Sequence, residues 1–214
     1  MKTTRSLRLA AVLAAMALCV SCLPAVASAS AYTVGQKVTL GSYFQEAGWD
    51  DPIEWKVLDT QKGKALLIAD LLLDSQPYDT ASGKTTWKDC TLRYWLNTEF
   101  WDTAFTAAEQ ARILVTNVIS EKSDITEDHL FLLSKDEVMR YFSNGKPTRM
   151  AYLTPYALSS GTWKSKSGTG WWWLRTTAGK RRAMWVNVSG GIQTDGTEMD
   201  HPGCIRPAMW VSTD

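Results

Sequence analysis

Three consecutive tryptophans, Trp171-Trp172-Trp173, constrain this chain more than any other stretch. They open the run Gly170-Trp171-Trp172-Trp173-Leu174-Arg175. Two similar runs follow, Ala183-Met184-Trp185-Val186-Asn187-Val188 and Gly203-Cys204-Ile205-Arg206-Pro207-Ala208-Met209-Trp210-Val211. All three are rich in Trp, Val, Ile and Met, and the links between them carry Gly, Asp and Pro, so they read as strands that close a sheet. Side chains alternate along a strand, so Trp172 faces away from Trp171 and Trp173, and Met184, Val186 and Val188 face away from Ala183, Trp185 and Asn187. At least one face of the first strand therefore presents indole to a second layer, a loop or solvent. Exposed indole beside polar groups suits stacking on sugar rings or peptide side chains.

The first thirty residues have a separate purpose. Lys2, Arg5 and Arg8 precede an apolar run over residues 9–20, and Ala27-Ser28-Ala29 supplies small residues for cleavage. This is the pattern of a signal peptide over residues 1–29, and the run is shorter than the roughly 20 apolar residues of a membrane-spanning helix. The expected product is a secreted or cell-surface protein over residues 30–214. Cys19-Val20-Ser21-Cys22 also resembles a lipoprotein box, so membrane attachment is expected only through lipidation at Cys22. Cleavage removes three cations and no acid, taking the formal charge from +1 to −2. With Lys and Arg scattered and no basic stripe, nucleic acid is not an expected partner. The remaining length suits one domain with a sizeable core.

Along the chain, Gln36-Lys37-Val38-Thr39-Leu40 alternates and predicts a strand. Ile53-Glu54-Trp55-Lys56-Val57-Leu58 and the denser Ala65-Leu66-Leu67-Ile68-Ala69 predict a hairpin turning at Lys62-Gly63. Leu92, Trp95, Leu96 and Phe100 fall at helical spacing. Thr106-Ala107-Ala108-Glu109 and Ser134-Lys135-Asp136-Glu137 are capping-box patterns, predicting a second helix to about residue 114 and a third ending near Phe142. Residues 144–169 turn to Ser, Thr, Gly, Lys and Pro around Tyr152, Tyr156 and Trp163, a long loop of the kind that often carries function.

Residues able to do chemistry are sparse. The two histidines, His129 and His201, have no Cys or His at metal-ligand spacing, and both read as solvated or structural. Glu46, Asp50 and Asp51, and the acids over residues 195–200, read as hydrated loops rather than cation sites. No catalytic residue, cofactor or metal site is expected. Cys90 and Cys204 remain after cleavage, and in an exported chain such a pair is a candidate disulfide, with two buried thiols as the other reading. Arg175 and Arg206 follow apolar runs, where a guanidinium either pins loops to the sheet or recognises an anionic group. The candidate ligand-binding residues are Trp163, Trp172, Tyr152, Tyr156 and Arg175.

A motif string runs through these elements: Trp87, Leu92-Arg93-Tyr94-Trp95-Leu96-Asn97, Phe105, Glu109, Leu132-Leu133-Ser134, Glu137, Trp172-Trp173-Leu174-Arg175 and Ile205-Arg206-Pro207-Ala208. It resembles the bacterial family called domain of unknown function 6273, from about Gly35 to Val211. That family's members are typically exported proteins without an established activity. The family is similar in turn to C-type-lectin-like folds. The resemblance implies an α+β class: a single C-type-lectin-like domain with small antiparallel sheets, two or three short helices and long loops. In many such folds a disulfide joins the early part of the domain to the last strand, a part that Cys90 and Cys204 would play. The Glu-Pro-Asn or Gln-Pro-Asp triplet of the calcium-dependent sugar binders is missing. The implied function is an exported, non-catalytic binding module for a polysaccharide or a surface protein. Two rivals follow from the same resemblance: an enzyme of the formylglycine-generating type, which needs a reactive cysteine pair with copper, and a structural cell-surface module.

Overall fold

Alternation in the first third of the chain produces a meander. The computed structural model describes residues 32–46, 50–120 and 124–214. The expected signal peptide over residues 1–29, the expected lipidation signal at Cys22 and the centre of the first acidic loop, residues 47–49, lie outside the described residues. Strand β1 (Lys37–Phe44) pairs antiparallel with β2 (Asp50–Gln61), and β2 with β3 (Lys64–Ala69). In β3 all but the first residue is buried, so the strand has protein on both faces, as its unbroken apolar run predicts. Trp55 lies fully buried in β2 and donates its indole N–H to the Leu40 carbonyl at 2.7 Å.

A short strand, β4 (Asp74–Pro77), leads toward the first helical segment: α1 (Thr91–Trp95), a π turn over Leu96–Phe100 and α2 (Trp101–Ala104). Both capping boxes form. The one at Thr106, however, opens only a single turn, α3 (Ala107–Gln110), instead of a helix to residue 114. The chain leaves it because Ile113 and Leu114 are taken by a sheet as β5 (Ile113–Leu114), opposite Val211 and Trp210. A ribbon follows, β6 (Thr116–Ile119) with β7 (Ile125–Asp128), then α4 (Lys135–Tyr141) behind the Ser134 box. The expected loop over residues 144–169 carries α5 (Lys146–Arg149), β8 (Ala151–Tyr152) and α6 (Pro155–Ser159), and β8 pairs with β9 (Thr169–Gly170).

The tryptophan run lies mostly in β10 (Trp172–Gly179), followed by β11 (Arg182–Val186), β12 (Ile192–Glu198), β13 (Pro202–Ile205) and β14 (Ala208–Ser212). The terminal run is thus two strands, not one. They belong to different five-stranded sheets, ordered β1-β2-β3-β14-β5 and β12-β11-β10-β13-β4. The break falls at Arg206-Pro207, where proline cannot donate to a ladder and the chain crosses between sheets. The result is a mixed α+β architecture, mostly antiparallel, with β10 and β13 paired in parallel.

One apolar core joins the sheets, running from Trp55 and Leu67 to Trp173, Leu174 and Ile205. Trp171, Trp172 and Trp173 are all buried. Alternation holds, with Trp171 and Trp173 edge to face at 4.9 Å and Trp172 on the opposite side. Trp172 and Trp173 are fully enclosed, and Trp171 keeps only a small exposed area. Burial of an indole withdraws on the order of 200 Å² from water, so each of these rings stabilises the fold by several kcal/mol at about 25 cal/mol per Å².

Candidate functional site

Polar groups within the core are pinned, and the pins include most of the polar members of the motif string. Arg93 Nε donates to Asp128 Oδ1 at 2.6 Å, while Asp128 Oδ2 accepts from Trp87 Nε1 and Thr126 Oγ1, each at 2.8 Å. Asn97 accepts from the backbone N–H groups of His129 and Leu130 and donates to the carbonyls of Arg93 and Leu130. Arg175 grips Glu137 in a two-pronged ion pair and donates to the carbonyls of Leu132 and Ile119. Arg206 donates to the carbonyls of Ala69 and Arg149 and lies over the rings of Trp172 and Phe142, and its burial lowers its pKa to about 10. Trp172 Nε1 donates to the Arg149 carbonyl at 3.1 Å.

These contacts relocate the five candidate ligand-binding residues. Trp172 and Arg175 are interior groups whose donors are used within the protein. Tyr152 is exposed and lies against Gly168 on the β8–β9 ribbon, and Tyr156 is half-buried against Tyr43 and Phe44. Only Trp163 joins other tryptophans. It is 57% exposed at a cavity of about 190 Å³ that it shares with Trp171, Trp185, Thr197 and His201. Gly203 makes room for that wall, since a Cβ there would stand 2.4 Å from the Trp171 ring and 2.3 Å from Trp173 Nε1. Trp171 and Trp185 meet edge to face at 5.2 Å. The indole N–H of Trp185 is buried and has no hydrogen-bond partner among the described residues.

The expected disulfide is not formed, and both cysteines are free and buried. Cys90 caps α1, its Sγ accepting from Arg93 N and donating to the Trp87 carbonyl, whereas Cys204 lies on β13 beside Thr162 Oγ1. Each thiol has its own local partners, and burial pushes each up to about 12. His129 stacks on Trp101 at 4.1 Å and burial lowers its pKa. Among the described residues no group of three His, Cys, Asp or Glu side chains converges as a metal site would require, and no helix is long and apolar enough to cross a membrane.

A family model described as Domain of unknown function (DUF6273) matches residues 62–213. The chain belongs to this family. The match begins later than Gly35, leaving β1 and all of β2 outside it, although both strands complete the first sheet of this DUF6273 member. No curated protein and no solved structure matches the chain. Sequence reasoning missed Trp185 and Thr197 as partners of Trp163. Trp185 reads as an ordinary strand residue, and Thr197 lies in what reads as an acidic loop rather than as β12.

Proposed function

We propose that this protein is an exported, non-catalytic binding module of C-type-lectin-like architecture that holds a glycan in the tryptophan cavity. The observation that carries this reading is the exposed indole face of Trp163 at a cavity walled by two further indoles, Trp171 and Trp185. A sugar ring offers the complement, because its C–H face stacks on indole and its hydroxyls hydrogen-bond to polar side chains. Thr197 and His201 add polar groups at the same wall. The lectin-like assignment is supported by a helical segment early in the chain and by a last strand, β14, that sits inside the first sheet. Export rests on the pattern of residues 1–29.

The state of the two thiols favours a binder over an oxidase of the formylglycine-generating type. Such chemistry needs a reactive cysteine pair, and here the thiols are buried, separately hydrogen-bonded and held in the protonated form.

The test is intrinsic fluorescence of the protein titrated with a panel of bacterial and host polysaccharides. A saturable change with at least one member, abolished by Trp163→Ala with the fold intact by circular dichroism, is the expected result. A panel without response, or a response that survives Trp163→Ala, overturns the reading and directs the search to protein partners.

A further inference from the structure

A second concave region shares no lining residue with the tryptophan cavity. It is a groove between β4, the edge strand of the second sheet, and the helical segment that begins at Thr91. One part, of about 360 Å³, is lined by Gln76, Tyr94, Trp95 and Glu99 among others. The adjoining part, of about 250 Å³, shares Gln76, Trp95 and Glu99 and adds Asp74 and Tyr156. Glu99 belongs to the π turn over Leu96–Phe100, a backbone irregularity that recurs at functional sites.

Its chemistry is one-sided. Among the described residues, no Lys, Arg or His lines either part of the groove. The rings present are electron-rich, and Tyr94 is 69% exposed. The Glu99 carboxylate has no hydrogen bond or ion pair among the described residues. Asp74 is buried and accepts from the Tyr43 hydroxyl and the Ser75 backbone N–H, each at 2.6 Å. Burial holds this carboxyl above the usual carboxylate range. The Glu99 carboxylate and several aromatic faces, with no cation beside them, form a surface of negative potential in a concave setting.

We infer that the groove binds an organic ammonium group, with the cation against the Trp95 and Tyr94 rings and Glu99 as its counter-charge. A quaternary headgroup, an amino sugar and an alkylamine share this chemistry, so the probes must separate the charge from its carrier. This site goes beyond the glycan reading and stands or falls independently of it.

The experiment is isothermal titration of the protein with choline, glucosamine and n-butylamine, beside two neutral controls: 3,3-dimethylbutan-1-ol, the uncharged isostere of choline, and N-acetylglucosamine. At least one ammonium probe is expected to bind about tenfold more tightly than its neutral control, and the strongest of the three identifies the carrier. Glu99→Gln, a change at an exposed position, is expected to weaken that probe about fivefold while leaving the neutral control unaffected. Trp163→Ala is expected to leave ammonium binding unchanged. Equal binding of charged and neutral probes, no binding of any ammonium probe, or an unaltered affinity in Glu99→Gln overturns the inference.

Discussion

Arg175 and Glu99 are both charged groups beside aromatic rings, yet they inhabit different physical regimes. Arg175 is buried near Phe131 and directs its N–H groups at Glu137 and at the carbonyls of Leu132 and Ile119. Glu99 stands in solvent beside Trp95 and Tyr94 with nothing in the described protein to pair with it. The same division separates Trp172, whose N–H is held by Arg149, from Trp185, whose N–H lacks an acceptor among the described residues. A buried charge or donor without a partner costs several kcal/mol, and the interior charges Arg175 and Arg206 are accordingly paired. Glu99, by contrast, is left unpaired at the groove and the Trp185 N–H beside the tryptophan cavity. In this molecule, then, most of the polar members of the motif string describe how the core is fastened, while Tyr94 and Trp95 of the same string line the groove.

The comparison breaks hardest at Arg175. Arg175→Met strips the partly buried Glu137 carboxylate of its ion-pair partner, leaving it the Ser134 backbone N–H, and removes the guanidinium donors to the Leu132 and Ile119 carbonyls; it is expected to lower unfolding stability by about 3–5 kcal/mol in urea titration. Adding Glu137→Met should recover part of that loss, because the stranded charge goes with it. A double mutant as unstable as the sum of the two single changes would argue that the pair is not coupled. Gly203→Ala tests the boundary between the two regimes. Its Cβ collides with Trp171 and Trp173, so a loss of about 1–3 kcal/mol is expected together with altered fluorescence of the tryptophan cavity. By contrast, Trp163→Ala should remain within about 0.5 kcal/mol of the parent.

The smallest effect sharpens the comparison through pH. His129 has a buried Nδ1 without a partner among the described residues and a pKa lowered from 6.5 by burial, so the unfolded chain takes up the proton first. Stability should therefore fall as pH drops through about 6.5 toward the depressed folded value, and the loss should level off below it. In His129→Gln that portion of the pH dependence should disappear from thermal melts recorded between pH 5 and 7.5. Its persistence would mean that the titration belongs to another group.

Much of the fold is legible in the chain because its signals are local. Alternation over residues 53–69 yields the hairpin, and each capping box begins a helix at the expected residue. What is not legible depends on distant partners. Nothing near Thr106 says that Ile113 and Leu114 will be taken by β14, so the helix there is expected to run too long. The edge strands β4 and β12 are polar, and β4 is short as well; both lack the apolar alternation that marks a half-buried strand. In β11 a register shift between Ala183 and Trp185 puts Ala183 and Val186 both inside, which strict alternation forbids. Trp163 is identifiable as a candidate from its polar surroundings, but its cavity is not, because the walls come from β11, β12 and the turn at His201. The groove is harder still, since Tyr43, Asp74, Glu99 and Tyr156 are far apart in sequence and meet only in three dimensions.

The crossing at Arg206-Pro207 carries a consequence for the order of assembly. Strand β14 sits between β3 and β5, so the first sheet lacks an inner strand until residues 208–212 have arrived. Strand β13, immediately before it, bridges β10 and β4 in the other sheet in the same way. Closing such long-range pairings is slow, because the chain must surrender its loop entropy before the contacts repay it. A chain released from the ribosome only as far as residue 201 would therefore hold two open sheets, and both would close in one later event.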